Sequence, residues 1–208
     1  MNTIIVDDQV ITPSKIICIG RNYVDHIHEL GNEIPDDMVV FFKPNSAIST
    51  QLQSSHLSES LHYEGELCFV YQQGKFSAVG FGLDLTKRDL QNQLKAKGLP
   101  WERAKAFNGA ALFSDFAKLD AIDNHFDDSL SLELSINGEV KQAGDISLMM
   151  YKPDHIIKEL HNFVELEDGD IVMTGTPKGV GLIEKNAKLV GRVLQNGQTL
   201  VAKQWLAN

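Results

Sequence analysis

Glu64 and Glu66 stand one residue apart in His62-Tyr63-Glu64-Gly65-Glu66-Leu67-Cys68-Phe69-Val70-Tyr71, a run otherwise apolar enough to be a buried strand. Residues i and i+2 of a strand share a face, so the two carboxylates project together, with Cys68 and Val70 beyond them. Like charges held side by side repel, and burial strips their hydration. The pair is therefore either solvated at a strand end, the commoner arrangement on protein surfaces, or gathered around a cation. A third carboxylate, Asp84, ends the strand-like run Val79-Gly80-Phe81-Gly82-Leu83-Asp84. Three carboxylates without a histidine or cysteine cluster suit a hard, oxygen-seeking ion such as magnesium or manganese.

A second pair lies upstream. His26 and Glu29 are three residues apart in the amphipathic stretch Tyr23–Leu30, close enough on a helix for the carboxylate to orient the imidazole. A solvated helix face explains the same spacing more simply. Other chemistries are excluded by detail. His28-Glu29-Leu30-Gly31-Asn32 begins like the H-E-x-x-H zinc helix but has Asn at the last position. The glycine-rich run Gly175 to Gly181 lacks the Gly-Lys-Ser/Thr ending of a P-loop and does not match G-x-G-x-x-G. No G-x-S-x-G elbow is present. Cys18 and Cys68 sit in apolar strand-like runs, as buried reduced residues do.

These side chains need elements to hold them. Thr3–Val6, Lys15–Ile19 and Val39–Phe42 read as strands, and Tyr23 to Leu30 as a short helix with Gly31 at its C-cap. After Asp84, Thr86 and Asp89 form a weak capping box for a helix reaching about Lys97, stopped by Gly98-Leu99-Pro100. Ser131–Ile136 alternates cleanly and turns through Asn137-Gly138, and Leu189–Trp205 is a hairpin through Asn196-Gly197. Pro153–Phe163 reads as a helix with Pro near its start. Trp101 to Leu119 carries no clear period. Strands outnumber helices and no βαβ rhythm is sustained, so the expected fold class is a strand-rich α+β fold in one domain, residues 1–208.

The net charge of −9, with no dense Lys/Arg run, argues against a nucleic-acid surface. No apolar run approaches a membrane span, and Asp7 and Asp8 stand where a signal peptide needs a basic start. The expected location is the cytoplasm.

Several stretches together resemble the fumarylacetoacetate hydrolase family. They are Ile19-Gly20-Arg21-Asn22-Tyr23 with His26 and Glu29, the Phe42-Lys43-Pro44 strand end, His62-Tyr63-Glu64-Gly65-Glu66, and Gly80 to Gln91. Lys97-Gly98-Leu99-Pro100-Trp101 with Lys105 and Gly169 to Gly181 complete the set. Six motifs in order are specific where any one is weak. The resemblance is closest to the short, single-domain acylpyruvases that also decarboxylate oxaloacetate. Phe81 stands where tyrosine is common, and Lys87 where a small residue usually precedes the arginine. The second departure is expected to alter only the surface charge of a helix.

The resemblance implies a mixed β-sheet roll with a few short helices, a homodimer, and a magnesium or manganese ion on Glu64, Glu66 and Asp84. It implies hydrolysis of acylpyruvate-type 2,4-diketo acids, with oxaloacetate decarboxylation or 2-oxo acid tautomerisation at the same site as the alternative. A non-catalytic ligand-binding module is the remaining possibility. His26, oriented by Glu29, would be the general base, and Lys105 would stabilise developing negative charge. Beside a metal, burial would lower the lysine's pKa. Arg21, Arg88 and Gln91 would position the substrate, Thr176 would hold its carboxylate, and the Tyr23–Leu30 helix would close as a lid.

Overall fold

The computed structural model of the chain describes residues 1–119 and 129–208. In chain order the larger strands are β1 (Lys15–Gly20), β2 (Val39–Pro44), β3 (Gly65–Gln72), β4 (Lys75–Asp84), β5 (Ala111–Phe113), β6 (Leu130–Ile136), β7 (Glu139–Asp145), β8 (Ile171–Met173), β9 (Lys188–Gln195) and β10 (Gln198–Leu206). The helices are α1 (Val24–Glu29), α2 (Arg88–Ala96), α3 (Glu102–Lys105) and α4 (Pro153–His161). One sheet runs in the order β5-β4-β3-β8-β1-β2, and the other in the order β7-β6-β9-β10. β8 is parallel to β1 and antiparallel to β3, so the larger sheet is mixed, as expected.

The apolar run after Glu66 is continuous because both faces of β3 are covered. Leu67 and Phe69 face a cluster shared with Leu132, Leu134, Leu189 and Val193 of the second sheet. Cys68 and Val70 face the other way, against Ile16, Cys18, Ile171 and Met173. Both cysteines are free and buried. The two sheets meet closely where Phe81 of β4 lies under Gly191 of β9, with Trp205 of β10 6.1 Å away between ring centroids. A Cβ on Gly191 would come within 2.2 Å of the Phe81 ring. Gly191→Ala is therefore expected to cost about 1–3 kcal/mol by overpacking, read as a lower midpoint in urea at unchanged slope.

The hairpins at Asn137-Gly138 and Asn196-Gly197 form where expected, with Asn137 and Asn196 in left-handed backbone. Gln9–Ile11 adds a short strand against Ile4–Val6. The aperiodic stretch after Trp101 resolves into α3 and β5. α4 opens on Pro153 and turns Ile156, Ile157 and Leu160 inward. Thr86 does not cap α2: Lys87 takes the N-cap position with no side-chain cap bond. The Thr86 hydroxyl instead donates to the Asp84 carbonyl. Lys87 is not a surface charge either. It is buried, paired with Glu59, and its ammonium lies 5.2 Å from the Phe107 ring centroid. Among the described residues no helix is long and apolar enough to cross a membrane.

Candidate metal centre and its acid–base pair

The acidic face is made by strand register. β3 and β4 are antiparallel, with Glu66 opposite Gly82, and the Asp84 amide donates to the Glu64 carbonyl at 2.9 Å. Residues opposed across such a ladder share a face. Carboxylate oxygens of Glu64, Glu66 and Asp84 consequently lie within 4.8 Å of one another, and all three residues are buried. The surface-pair explanation of the E-x-E spacing fails.

Neutralisation of this cluster is uneven. Lys105 Nζ donates to Glu64 Oε2 and Asp84 Oδ2 at 2.7 Å each, and to the Thr86 hydroxyl at 2.6 Å. Arg88 pairs with Glu64 and donates to Gln91 Oε1 at 2.8 Å. Lys43, wholly buried on β2, lies 2.7 Å from Asp84 Oδ1 and also donates to the Lys105 carbonyl. Among the described residues the Glu66 carboxylate receives only the Gly175 amide, at 2.8 Å. Burial alone would raise the Glu64 pKa, but Lys105, Arg88 and, less strongly, His26 hold it below the carboxylate range. For Glu66, burial and the neighbouring Asp84 and Glu64 charges push the pKa well above that range. Burial opposes the charge of Lys105, yet Asp84 and Glu64 outweigh it, so its pKa is raised rather than lowered.

An all-oxygen donor set with one carboxylate short of positive charge fits a divalent ion of the magnesium or manganese kind. Lys43→Met would leave Asp84 Oδ1 without its cation. Breaking a buried pair costs about 3–5 kcal/mol, so this variant is expected to unfold at clearly lower denaturant.

The acid–base pair faces the cluster across one pocket. That pocket is lined by His26, the three carboxylates, Arg21, Arg88, Gln91, Lys95, Lys105 and Thr176, with apolar walls from Ile19, Ile27, Phe41 and Trp101. His26 is buried on α1, its Nδ1 3.1 Å from Glu29 Oε2. The other Glu29 oxygen accepts the Gly179 amide at 2.9 Å. Gly179 has φ +100°, and a Cβ there would fall 2.0 Å from the Lys141 carbonyl oxygen, so only glycine fits this turn. The glycine-rich loop thus fixes Glu29, and Glu29 fixes the imidazole.

β1 and β8 are parallel, so their C-terminal ends lie side by side. This brings the turn after Gly20 next to the loop after Met173, joined by Asn22 Nδ2 donating to the Thr174 carbonyl at 2.8 Å. Arg21 occupies that turn in left-handed backbone, φ +55°.

All ten side chains expected from the sequence come together. The Thr176 hydroxyl, however, is already engaged, donating to the Gly65 carbonyl at 2.9 Å and accepting from Gln142 Nε2 at 2.8 Å. Two further lysines bear on the site without having been assigned a role in it: Lys43, against Asp84, and Lys95, in the pocket lining with Arg88 and Gln91. Apart from its place in the Phe42-Lys43-Pro44 motif, the signal for Lys43 was a charge closing the apolar run Val39–Phe42.

The chain matches the model of the family described as fumarylacetoacetate (FAA) hydrolase C-terminal over residues 15–204. It is similar to the bovine (Bos taurus) protein named oxaloacetate tautomerase FAHD1, mitochondrial, with 36% identity over 192 residues, 84% of this chain and 85% of that one. A crystal structure of a fumarylacetoacetate isomerase/hydrolase candidate from Oleispira antarctica superposes with TM-score 0.92 at 31% identity, covering 100% of both chains. The fumarylpyruvate hydrolase of Pseudomonas aeruginosa, solved with Mn2+ and pyruvate, gives TM-score 0.86 at 27% identity over 100% of this chain and 96% of that one.

Proposed function

Because the chain belongs to the fumarylacetoacetate hydrolase family, we propose that it is a divalent-metal-dependent enzyme that interconverts the keto and enol forms of oxaloacetate. One observation carries this reading: a buried His26, held from the solvent side by Glu29, shares one pocket with a buried three-carboxylate cluster. Moving a proton at the carbon next to a carbonyl needs a proton carrier on one side and positive charge at the oxygen on the other. The name of the bovine relative supports the choice of reaction.

An ion held by Glu64, Glu66 and Asp84 would supply that positive charge beside the 2-oxo oxygen. The chain's own groups supply the rest. Glu29 accepts the Nδ1 proton of His26, which leaves Nε2 with a free lone pair. From the keto form, Nε2 takes a proton at C3 while negative charge gathers on the 2-oxo oxygen; the imidazolium then returns that proton to the oxygen, which gives the enol and restores neutral His26. Lys105, kept charged by Asp84 and Glu64, adds a fixed positive charge near that oxygen, its three N–H groups already going to Glu64, Asp84 and Thr86. Arg88 has its fork committed to Glu64 and Gln91, so it orients the metal ligand and presents Gln91 to the substrate. The engaged Thr176 hydroxyl leaves its backbone amide for the substrate carboxylate. Apolar Ile27 on α1 closes the pocket against water.

Hydrolysis of acylpyruvates is the second reading, favoured by the same histidine, since a base that reaches C3 also reaches a water beside it. The P. aeruginosa structure named as a fumarylpyruvate hydrolase supports it. The deciding experiment supplies oxaloacetate as its enol with magnesium or manganese and follows loss of enol absorbance, beside acetylpyruvate cleavage under the same conditions. Faster enol loss supports the tautomerase, and faster cleavage hands the primary role to hydrolysis. In this reading residues 1–208 act as one catalytic domain in a cytoplasmic homodimer, the assembly being checked by sedimentation.

A further inference from the structure

The three carboxylates at the pocket floor are matched in number by Lys43, Arg88 and Lys105, each paired with Glu64 or Asp84. Two further cations line the same pocket, Arg21 and Lys95. Among the described residues neither has a carboxylate within ion-pair distance. Arg21 makes only long contacts, 3.3 Å to Asn32 Oδ1 and 3.5 Å to the Glu33 carbonyl, and its Nε is buried without a partner. The Lys95 ammonium lies 4.8 Å from the Trp101 ring centroid, which fixes its direction without neutralising it. Two uncompensated cations in one half-closed pocket repel each other and favour an anion. Burial, then Arg21 and Arg88, lowers the Lys95 pKa to about 8, outweighing the more distant Glu64 charge.

Position sets the size of that anion. Arg88, Gln91 and Lys95 form one stripe of α2, at i, i+3 and i+7. Arg88 binds the ligand Glu64, so the stripe begins at the metal and reaches Lys95 after about 10 Å of helix axis. A flexible lysine spans much of that distance back toward the metal. A short 2-oxo acid fixed at the ion would place its far end between the two.

We infer that Lys95, with Arg21 opposite, binds the second carboxylate of the substrate and so selects dicarboxylic 2-oxo acids over monocarboxylic ones. The inference rests on the reading that the 2-oxo acid end of the substrate faces Glu64, Glu66 and Asp84. An alkyl acyl group at the same position would leave both cations unpaired and would bury apolar surface against charge.

The test uses the magnesium-loaded protein and two unreactive probes: malate, which has both carboxylates, and lactate, which lacks the second. Calorimetric titration of Lys95→Met is expected to show malate affinity roughly 10- to 100-fold weaker, the loss of one charge-assisted hydrogen bond. Lactate affinity should change less than about 2-fold, and Lys95→Arg should recover most of the malate binding. On oxaloacetate the methionine variant should raise KM far more than it lowers kcat. Equal losses for malate and lactate would assign Lys95 a structural role and overturn the inference. So would a wild-type protein that binds malate no better than lactate. Lys95-dependent malate binding in a protein that fails to tautomerise oxaloacetate would instead sink the proposed reaction and leave the carboxylate site standing.

Discussion

Replacing His26 with alanine is expected to slow enol-to-keto conversion of oxaloacetate about 10²- to 10⁴-fold, the usual contribution of a positioned acid–base group, while decarboxylation of oxaloacetate persists. The two outcomes separate because the reactions differ in one requirement. Loss of carbon dioxide leaves its electron pair in an enolate and needs only positive charge at the oxygen, which an ion on the three carboxylates and the Lys105 charge would still supply in the variant. Tautomerisation needs a proton delivered to or taken from C3, and His26 is the imidazole on the pocket wall opposite the carboxylates. It is buried and held through Nδ1 by Glu29, so no solvent-borne base easily takes its place. Parallel assays of enol absorbance and carbon dioxide release on one preparation check this. A variant that tautomerises at the wild-type rate would remove His26 from the mechanism. Acetylpyruvate cleavage should fall with tautomerisation, because the attacking water also needs a base.

Glu66→Gln is expected to raise the Tm of the metal-free chain and to abolish the further rise that magnesium gives the wild type. Glu66 has a folded pKa well above its ordinary value, through burial and the charges of Asp84 and Glu64. A carboxyl group raised on folding contributes stability below its unfolded pKa and loses it as the pH climbs through the folded value. At neutral pH the metal-free protein therefore carries Glu66 at a cost, and glutamine copies the protonated form. It also keeps an oxygen for the Gly175 amide. The advantage of the variant should grow as the pH rises above about 4.3, where glutamate ionises in the unfolded chain. With metal at 100 times its Kd the wild type should gain about 2.7 kcal/mol, or roughly 5–10 °C for a chain of this size. Thermal scans with and without magnesium give all four values. A full magnesium response in Glu66→Gln would sink the ligand assignment, and a fall in the metal-free Tm would contradict the electrostatic account.

Much of the architecture was legible because it is written in local patterns. The Asn-Gly dipeptides mark hairpins whose turns need left-handed backbone, and both hairpins form. The run after Glu66 was readable as a strand, and the period of two placed Glu64 and Glu66 together. Asp84 joined them only as the end of a second strand; their proximity depends on the β3–β4 register, which no single segment encodes. Lys43 and the role of Thr86 were illegible for the same reason, whereas the helical spacing already put Lys95 on one side of α2 with Arg88 and Gln91. Lys43 reaches Asp84 across 41 residues of chain and Lys105 across 62, and nothing near it in sequence announces an acidic partner. Thr86 satisfied a local capping rule, yet its hydroxyl was drawn to Lys105 and the Asp84 carbonyl. A charge-assisted bond in a dry site outweighs an exposed helix cap. Lys87 misled in the opposite sense, since its distant partners Glu59 and Phe107 turn an apparent surface charge inward.

The order in which the ribosome delivers this chain matters for the strand between β3 and β1. β8 begins at residue 171, so everything synthesised before it must fold with that central slot unfilled. Until then β1 and β3 each present a row of unpaired amides and carbonyls, the kind of edge that recruits strands from other molecules. Three residues, Ile171–Met173, close both edges at once. Nascent or C-terminally truncated chains should therefore be held by chaperones or precipitate, and native structure should appear only after β8 emerges.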